Sequence, residues 1–472
     1  MSESRFTPLT TESTPVATLS AASKLPDAYP ENQYIQKEKL QNEEFKIWKK
    51  TVPLLYETIH TYVLEAPSLT VESLPGIELS SDKTVAASSF LTGTYFGAQG
   101  GANQTEFLKL NVIKLPSTLT TDVVDSIPIE EGQADTSKCS ETQKWSFTSE
   151  VNKARYNPLT KQIATFMGGS GLINILSRDS QIPLKTLSNH TKEGSAMEWS
   201  HDGKYLLTGA QDGLVCLWDV TKDSPLSETF FNHTSIVNDV AWNYGVPSLF
   251  GSVSDDTSVL FHDYRADPKS PIHSIMSAHT DSVTAIDFNP SIQNNFVTGG
   301  ADNIINVWDL RNTTAPIRSL YGHHGGVTQL RFNPDDCTFL ASSANDKRIH
   351  IWDLTKIDQS YGKEDSVKDG SDDPALKFVH GGHAGRVLEF DWVKGVKSTL
   401  ISVSDDKLLE VWKPTLLIES IDEDEEEEEE EDVEMKDVAE DKQVAEQEPT
   451  TETAEVKIDE AATKEEDRVL SN

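Results

Sequence analysis

Short apolar runs separated by polar turns fill the chain between residues 150 and 412. In one such run, GLVCLWDV at 213–220, most successive side chains are apolar, so a strand formed by this run is apolar on both faces. Strands of this kind are typical of sheets that are covered on both sides. The pattern therefore predicts an all-β architecture of small sheets stacked against one another.

These apolar runs belong to an internal repeat. The segment HTDSVTAIDFNPSIQNNFVTGGADNIINVWDL at 279–310 aligns end to end with HHGGVTQLRFNPDDCTFLASSANDKRIHIWDL at 323–354. The same pattern opens at His190, His233 and His383, so the five units start 43, 46, 44 and 60 residues apart. Self-similarity at this period predicts one supersecondary unit per repeat.

Each repeat carries four polar positions at nearly constant spacing. An opening His is followed by a hydroxyl residue, by an Asp four residues later, and by Trp or His six residues after the Asp. We predict that the Asp lies in a tight turn and accepts a hydrogen bond from the buried His, which also reaches the hydroxyl group and the indole. Because each set lies in its own repeat, we interpret the sets as structural and not as metal ligands or catalytic dyads. The sets are His190, Thr208, Asp212 and Trp218; His233, Ser252, Asp256 and His262; His279, Thr298, Asp302 and Trp308; His323, Ser342, Asp346 and Trp352; and His383, Ser402, Asp406 and Trp412.

This polar set, with Trp-Asp at 218–219, 308–309 and 352–353, resembles the WD40 repeat. The resemblance implies four-stranded blades arranged radially as a β-propeller. A degenerate unit at 150–178 and strand-like residues at 85–116 supply two further blades. The expected total is seven blades, with six as the alternative.

The last repeat, 383–414, has room for only three strands. An unpaired edge there would leave the ring open, so the fourth strand is expected from a segment before the first blade. PSLTVESLP at 67–75 alternates apolar and polar residues, and we predict that it closes the ring.

A helical pattern precedes the repeats. Apolar residues spaced three and four apart predict an amphipathic helix over residues 41–66 whose apolar stripe docks on the propeller. Pro53 lies inside this segment and costs about 3 kcal/mol if the helix continues through it. The stripe consists of Phe45, Trp48, Val52, Leu55, Ile59 and Val63.

The net charge of −36 is concentrated at one end of the chain. Residues 419–472 contain 25 acidic and 5 basic residues, including DEDEEEEEEED at 422–432. Like-charge repulsion opposes folding of such a run, so we predict a disordered acidic tail over 419–472 and a disordered Ser-, Thr- and Pro-rich segment over 1–40. An acidic chain repels nucleic acid and attracts basic partners, so no direct nucleic-acid binding is expected.

Features of enzymes, secreted proteins and membrane proteins are missing from the sequence. Cys139, Cys216 and Cys337 are far apart, which argues against a disulfide framework and a zinc site. Because there is no signal pattern and no long apolar run, we expect a soluble intracellular protein. No helix pattern follows MGGSG at 167–171, so we interpret it as a turn and not as a phosphate loop. We therefore predict no catalytic residue, cofactor or metal.

The interval before the last repeat is lengthened by an acidic insertion, which we place at 355–382. It joins the sixth and seventh blades, so it is expected to emerge beside the N-terminal helix. Helix and insertion together predict a groove with an apolar floor and an acidic lip that suits a basic amphipathic helix. The alternative is a disordered loop without a binding role.

Several motifs go beyond generic WD40 features: EEFKIWKKTVPLLYE, PSLT, EVNKARYNP, RIHIWDLTKI and HGGH. They closely resemble the histone-binding WD40 family, which includes the retinoblastoma-binding proteins, the small subunit of chromatin assembly factor and the accessory subunit of type B histone acetyltransferase. The resemblance covers residues 40–418. Within this range, we place the propeller at residues 67–418. The resemblance implies a groove for the first helix of histone H4 and a top face for the tail of histone H3. The implied groove residues are Leu54, Leu55, Ile59, Asp369, Asp372, Asp373, Phe378, Val379 and Ile418, and the implied top-face residues are Glu150, Asn152, Glu193 and Asp405.

The resemblance implies a non-catalytic scaffold for histones H3 and H4 that works with larger subunits of a chromatin complex. The acidic tail favours the small subunit of a chromatin assembly complex, located in the nucleus, with the cytoplasm as a second location. The alternatives are an accessory subunit of a type B histone acetyltransferase or another chromatin-modifying complex, and a WD40 chaperone of ribosome assembly.

Overall fold

The computed structural model describes residues 31–76, 78–79, 85–96, 105–116, 139–357 and 373–415. Disorder was predicted for residues 1–40 and for the acidic tail. Residues 1–30, the acidic tail and most of the acidic insertion lie outside the described residues, whereas for residues 31–40 the prediction was wrong, because they form the start of a helix. Within the described residues, no helix is long and apolar enough to span a membrane.

Seven sheets form the seven blades of a β-propeller, as the repeats predicted. Helix α1 (Glu31–Leu55) leads directly into strand β1 (Tyr56–Val63), and six blades then follow in chain order. Blade 1 contains β2 (Val71–Ser73), β3 (Glu78–Leu79), β4 (Val85–Gly93), β5 (Glu106–Pro116) and β6 (Cys139–Phe147). Blade 2 contains β7 (Val151–Tyr156), β8 (Gln162–Met167), β9 (Ile173–Ser177) and β10 (Lys185–Leu187). Blade 3 contains β11 (Ala196–Trp199), β12 (Tyr205–Gly209), β13 (Val215–Asp219) and β14 (Leu226–Phe230).

Blades 4 to 6 repeat the same up-and-down order of strands. Blade 4 contains β15 (Val237–Trp242), β16 (Leu249–Ser254), β17 (Val259–Asp263) and β18 (His273–Ile275). Blade 5 contains β19 (Val283–Phe288), β20 (Asn295–Gly300), β21 (Ile305–Asp309) and β22 (Arg318–Leu320). Blade 6 contains β23 (Val327–Phe332), β24 (Phe339–Ala344), β25 (Ile349–Asp353) and β26 (Leu376–His380), with a short 3-10 helix at Leu354–Lys356. The acidic insertion was predicted to join the sixth and seventh blades, which was wrong, because it connects β25 to β26 within blade 6.

Blade 7 contains β27 (Val387–Trp392), β28 (Leu400–Ser404) and β29 (Leu408–Pro414), and its outermost strand is β1. The ring is therefore closed by a segment from before the first blade, but the predicted segment, 67–75, was wrong. Residues Val71–Ser73 instead form β2 and pair with β4 in blade 1. The closing strand β1 pairs antiparallel with β29 from Tyr56 opposite Pro414 to Val63 opposite Leu408.

The predicted helix over 41–66 was correspondingly wrong at both ends. The helix begins at Glu31, ten residues earlier, and ends at Leu55, two residues after Pro53. The residues that follow, YETIHTYV, are aromatic or β-branched at six of eight positions, which favours a strand. Pairing with the exposed edge of β29 then outweighs the helical spacing of Ile59 and Val63.

The apolar core lies between neighbouring blades. One cluster joins blades 4 and 5, where Phe261 packs edge-on against Phe296 with ring centroids 5.1 Å apart and Phe296 stacks on Trp308. Another cluster joins blades 7 and 1 and includes Tyr62 of the closing strand and Phe90. Because every blade buries both of its faces, the strands are apolar on both sides.

The structure assembles the predicted polar sets within individual blades. In blades 3, 5 and 6 the opening His lies 2.9–3.2 Å from the turn Asp and 2.7–2.9 Å from the hydroxyl oxygen, which also accepts from the Trp indole. In blade 4, His262 bonds to Asn232 instead of the hydroxyl group. In blade 7, His383 bonds to Ser402, whereas Asp406 accepts from the backbone N–H groups of Ala384 and Gly385.

Carboxylates on the innermost strands connect several neighbouring blades around the central channel. Glu198 accepts from the N–H of Trp242 at 2.6 Å, Asp239 from that of Ile286, and Asp287 from that of Phe332. Glu389 of blade 7 accepts from the N–H of Val71 in blade 1 at 2.7 Å. It also pairs with Lys153 and Arg155, and these two cations lower the pKa of Glu389 to about 2 despite its burial.

Glu198 makes the stability of the propeller depend on pH. Burial raises the pKa of Glu198 to about 7 even though Arg331 lies 3.6 Å away and opposes the shift. The folded chain thus binds this proton more tightly than the unfolded chain, whose carboxyl has a pKa near 4.5. The stabilisation is fully present below pH 4.5 and is lost as pH rises through 7.

We expect Glu198→Gln to remove this dependence, because the amide oxygen still accepts from Trp242 and carries no charge. Relative to the variant, the parent should lose on the order of 3 kcal/mol between pH 4.5 and pH 8. Urea unfolding midpoints at the two pH values measure the difference. Equal pH dependence in parent and variant would contradict the shifted pKa.

Candidate functional site

Helix α1 packs at the outer edge of the propeller where blades 6 and 7 meet. Val52 is buried, and Trp48 is half-buried and packs edge-on against His380, the last residue of β26, with ring centroids 6.0 Å apart. Phe45 stacks on Trp48 from the other side.

A hydrogen-bond chain connects the helix to blade 6. The indole N–H of Trp48 donates to the Tyr56 hydroxyl oxygen at 2.8 Å, and that hydroxyl lies 2.9 Å from Nδ1 of His380. Because an indole N–H only donates, the Tyr56 hydroxyl oxygen accepts from Trp48, and the tautomer of His380 decides whether the hydroxyl or Nδ1–H donates in the second bond. The Tyr56 ring also packs edge-on against Phe378 and Trp412. These contacts hold the end of α1 and the start of β1 in one position.

The other side of α1 presents exposed apolar side chains. Leu54 is 79% exposed and Ile47 is 62% exposed, and a spacing of seven residues places them on one face of the helix. Leu55 is half-buried and lies between this face and the docked face. We call Ile47, Leu54 and Leu55 the helix ridge. Two large exposed apolar side chains on one face provide an apolar surface for a partner.

The ridge continues toward the closing strand. Ile59 is half-buried in β1 and pairs directly with Trp412, so both side chains lie on the same face of blade 7. Trp412 contacts Tyr56 and also stacks on Phe378 of blade 6. The face of blade 7 that carries Trp412 and Ile59 is therefore turned toward blade 6. Ile59 was predicted as a helix residue, and the structure places it on a strand instead.

Two residues predicted to face a partner have structural roles. Asp373 is 3% exposed, and its carboxylate pairs with Arg318 of β22 at 2.9 Å and accepts from the N–H of Ala375 at 3.0 Å. Its prediction as part of an acidic lip was wrong, because the ion pair anchors the start of β26 to blade 5. Phe378 is 5% exposed and stacks on Trp412, so it belongs to the core between blades 6 and 7.

The remaining predicted groove residues are only partly described. Val379 is half-buried in β26 and pairs with His350. Asp369, Asp372 and Ile418 lie outside the described residues. Because side chains alternate along a strand, Val379 lies on the opposite face of β26 from Phe378 and His380, which contact Trp412 and α1. Of the predicted groove residues, Leu54, Leu55 and Ile59 therefore lie on α1 and the closing strand, and the groove itself stays a prediction.

Three of the four predicted top-face residues lie together over blades 2 and 3. Glu193 accepts from the N–H of Gly169 at 2.9 Å and from the Gln211 amide at 3.0 Å, and Asn152 donates to the carbonyl of Gly194. A side chain at Gly168 would collide with Glu150, so this glycine allows Glu150 to lie over the turn. The fourth, Asp405, is exposed in the turn between β28 and β29 of blade 7 and pairs with Arg386 at 3.1 Å.

Comparison with known proteins connects these surfaces to a family. The family model of the histone-binding protein RBBP4, which also describes a component of the CAF1 complex, matches residues 43–117, and the model of the WD domain, G-beta repeat, matches 181–219, 269–309 and 314–353. Histone acetyltransferase type B subunit 2 of Schizosaccharomyces pombe is 36% identical over 409 residues, which cover 82% of this chain and 93% of that protein. The chain belongs to this histone-binding WD40 family. The sequence resemblance is thereby confirmed.

In this histone-binding WD40 protein, the family-specific match begins on α1 and extends through β1 to β5 of blade 1. The features that distinguish the family from other WD40 proteins therefore include the helix ridge and the closing strand. The repeat matches, by contrast, cover parts of blades 2 to 6.

Sequence reasoning missed the roles of Tyr56 and His380. Tyr56 was assigned to a helix, and His380 was considered only as part of the HGGH motif. One signal was available, since aromatic and β-branched residues dominate 56–63. The contact between positions 56 and 380 has no local signal, because it depends on ring closure.

Proposed function

We propose that this chain is a non-catalytic histone-binding subunit that holds the first helix of histone H4 against the helix ridge. The exposed face of α1 at the junction of blades 6 and 7 carries this proposal. An amphipathic helix that lays its apolar face on Leu54 and Leu55 buries surface that is otherwise in water. The acidic insertion, which leaves blade 6 after β25 and returns at β26, is proposed to supply negative charge for basic side chains of the histone helix.

Calorimetric titration with a peptide covering the first helix of histone H4 tests the proposal. The expected result is saturable one-to-one binding with a negative heat-capacity change, because apolar surface is buried. No heat of binding from the folded chain would contradict it.

The larger assembly is proposed to be a chromatin assembly complex in the nucleus, to which this protein contributes binding and no chemistry. The similarity to a type B histone acetyltransferase subunit supports a second candidate, an accessory subunit of such an enzyme. Affinity purification from cells followed by mass spectrometry separates the two. Large assembly subunits without an acetyltransferase support the first candidate, and a stoichiometric acetyltransferase supports the second.

The top face is proposed to bind the basic tail of histone H3 through Glu150, Asn152, Glu193 and Asp405. We expect Glu193→Lys to weaken binding of an H3 tail peptide on the order of tenfold, because a carboxylate that attracts basic side chains becomes a repelling cation. The control is Asp223→Lys, which makes the same charge change at an exposed turn on the opposite end of blade 3. Equal weakening by both variants, measured by fluorescence anisotropy, would indicate attraction by net charge alone.

A further inference from the structure

Three buried side chains meet where blade 6 ends and blade 7 begins. His380 is the last residue of β26, His383 opens blade 7, and Glu410 lies on β29. Their exposures are 0%, 3% and 2%. One ligand atom from each residue lies within 4.8 Å of the other two, and Nε2 of His380 is 3.0 Å from Oε2 of Glu410.

Each of the three side chains has one buried atom without a hydrogen-bond partner. These atoms are Nε2 of His380, Nδ1 of His383 and Oε2 of Glu410. Although His380 and Glu410 are close, their contact does not meet hydrogen-bond geometry. Buried polar atoms in folded proteins are almost always satisfied, so three unsatisfied atoms on neighbouring side chains point to a common partner.

The other blades serve as internal controls for this arrangement. The last residue of the outermost strand is Leu187, Phe230, Ile275 and Leu320 in blades 2 to 5, all buried and apolar, whereas in blade 6 it is His380. A histidine at this position has no role in the packing of the other blades.

A second departure from the repeat lies two residues before the last member of each polar set. It is occupied by Cys216, Leu260, Asn306 and His350 in blades 3 to 6 and by the carboxylate Glu410 in blade 7. The opening histidine also differs in blade 7. In blades 3 to 6, Nδ1 lies 2.9–3.2 Å from the turn Asp, but Nδ1 of His383 has no such bond. All three departures from the repeat occur at the same point.

On each of these three side chains, the other polar atom is held by a hydrogen bond. Nδ1 of His380 lies 2.9 Å from the Tyr56 hydroxyl, Nε2 of His383 lies 2.7 Å from the Ser402 hydroxyl, and Oε1 of Glu410 accepts from Thr61 at 3.2 Å. Metal-binding histidines and carboxylates are typically oriented by hydrogen bonds from their other polar atoms. Two of these supporting groups, Tyr56 and Thr61, come from the closing strand β1.

We propose that His380, His383 and Glu410 bind one Zn²⁺ ion that fastens the closing strand to blades 6 and 7. Two imidazole nitrogens and one carboxylate oxygen form a ligand set that proteins use for zinc, with water at a fourth position. Ligand bonds of about 2.0–2.2 Å to one ion are compatible with the 3.0 Å separation between His380 and Glu410. The ion offsets the cost of burying the Glu410 carboxylate and connects residues that are distant in the sequence.

Metal content of the purified full chain tests the site. The protein is expressed in zinc-supplemented medium, passed through gel filtration and analysed by inductively coupled plasma mass spectrometry. We expect about one zinc per chain in the parent, and more than about 100-fold weaker retention in Glu410→Gln and His380→Leu, since even indirect supporting groups account for 10–100-fold in affinity. Leucine is the residue of blade 5 at the equivalent position, and Gln keeps the shape of Glu410.

His350→Gln is the matched control, because it makes a Gln substitution at the equivalent position of blade 6, beside His323 and Asp346. It should retain the zinc of the parent. Circular dichroism establishes that each variant is folded, and chelation should lower the thermal midpoint of the parent but not that of Glu410→Gln. A parent without zinc, blade 7 variants that keep their zinc, or loss of zinc only in His350→Gln would each overturn the proposal.

Discussion

Leu54→Asp should abolish binding of the first-helix peptide of histone H4 while leaving the propeller intact. Leu54 is 79% exposed, so its replacement costs the free chain little. In the complex, the loss of a buried leucine contact costs about 1.5–3 kcal/mol, and burial of an unpaired carboxylate adds to it. The expected total weakening exceeds about 100-fold, measured by calorimetric titration.

The matched control is Ile182→Asp, which introduces the same charge at an apolar residue that is 73% exposed, on the turn between β9 and β10 of blade 2. This variant should bind the peptide as the parent does. Leu55→Asp, at the half-buried end of the ridge, should also lose binding but with some loss of stability. Parental affinity in Leu54→Asp would exclude the helix ridge as the H4 site and leave the top face as the candidate.

Tyr56→Ala should destabilise the closed ring by about 3–5 kcal/mol, the range for truncating a large buried aromatic side chain. Tyr56 is 5% exposed and packs against Trp48, Phe378 and Trp412, so its loss leaves a cavity where α1, β1 and blade 6 meet. Tyr56→Phe keeps the ring but leaves the indole N–H of Trp48 and Nδ1 of His380 without their shared partner. We expect it to cost about 1–3 kcal/mol.

Urea unfolding measures both variants, and hydrogen exchange locates the effect. Amide protection should fall first in β1 and β29, since opening of the ring at this junction separates only these two strands. Tyr95→Ala, at a tyrosine that is 37% exposed in blade 1, is the control and should cost less than about 1 kcal/mol. Equal destabilisation by the Tyr56 and Tyr95 substitutions would contradict a special role of the closing strand.

Ring closure and histone binding involve the same short segment. Residues 48–59 contain Trp48 and Tyr56, which dock on blade 6, and Leu54, Leu55 and Ile59, which line the proposed groove. A side chain that loosens β1 should therefore also weaken H4 binding, because the ridge is positioned by the docked face. The measurement of Tyr56→Phe in both assays connects stability to function.

The β-propeller could be predicted from sequence because the repeat is a local signal. Each polar set lies within a few tens of residues, and each strand carries its own apolar pattern, as in GLVCLWDV of blade 3. The top-face residues Glu150, Asn152 and Glu193 could be named for the same reason, since they occupy defined turns of successive blades.

The closing strand and the groove could not be predicted in the same way. Ile59 and Val63 continue the helical spacing of Phe45 and Trp48, and only pairing with β29, about 350 residues later, makes them a strand. Asp373 sits among acidic residues in the sequence, yet its partner Arg318 lies 55 residues away and buries it. Local patterns carry no information about such partners.

By itself, the sequence determined the repeat, the β-propeller fold, the acidic tail and the family, because these depend on periodicity, composition and motif, whereas the structure decided between six and seven blades. Only the tertiary structure decided which segment closes the ring, which acidic and aromatic residues are buried, and that His380, His383 and Glu410 converge. The physical reason is that ring closure pairs β1 with β29, two strands that are about 350 residues apart in the sequence. The residues at this junction are held by contacts between chain ends that no local pattern encodes.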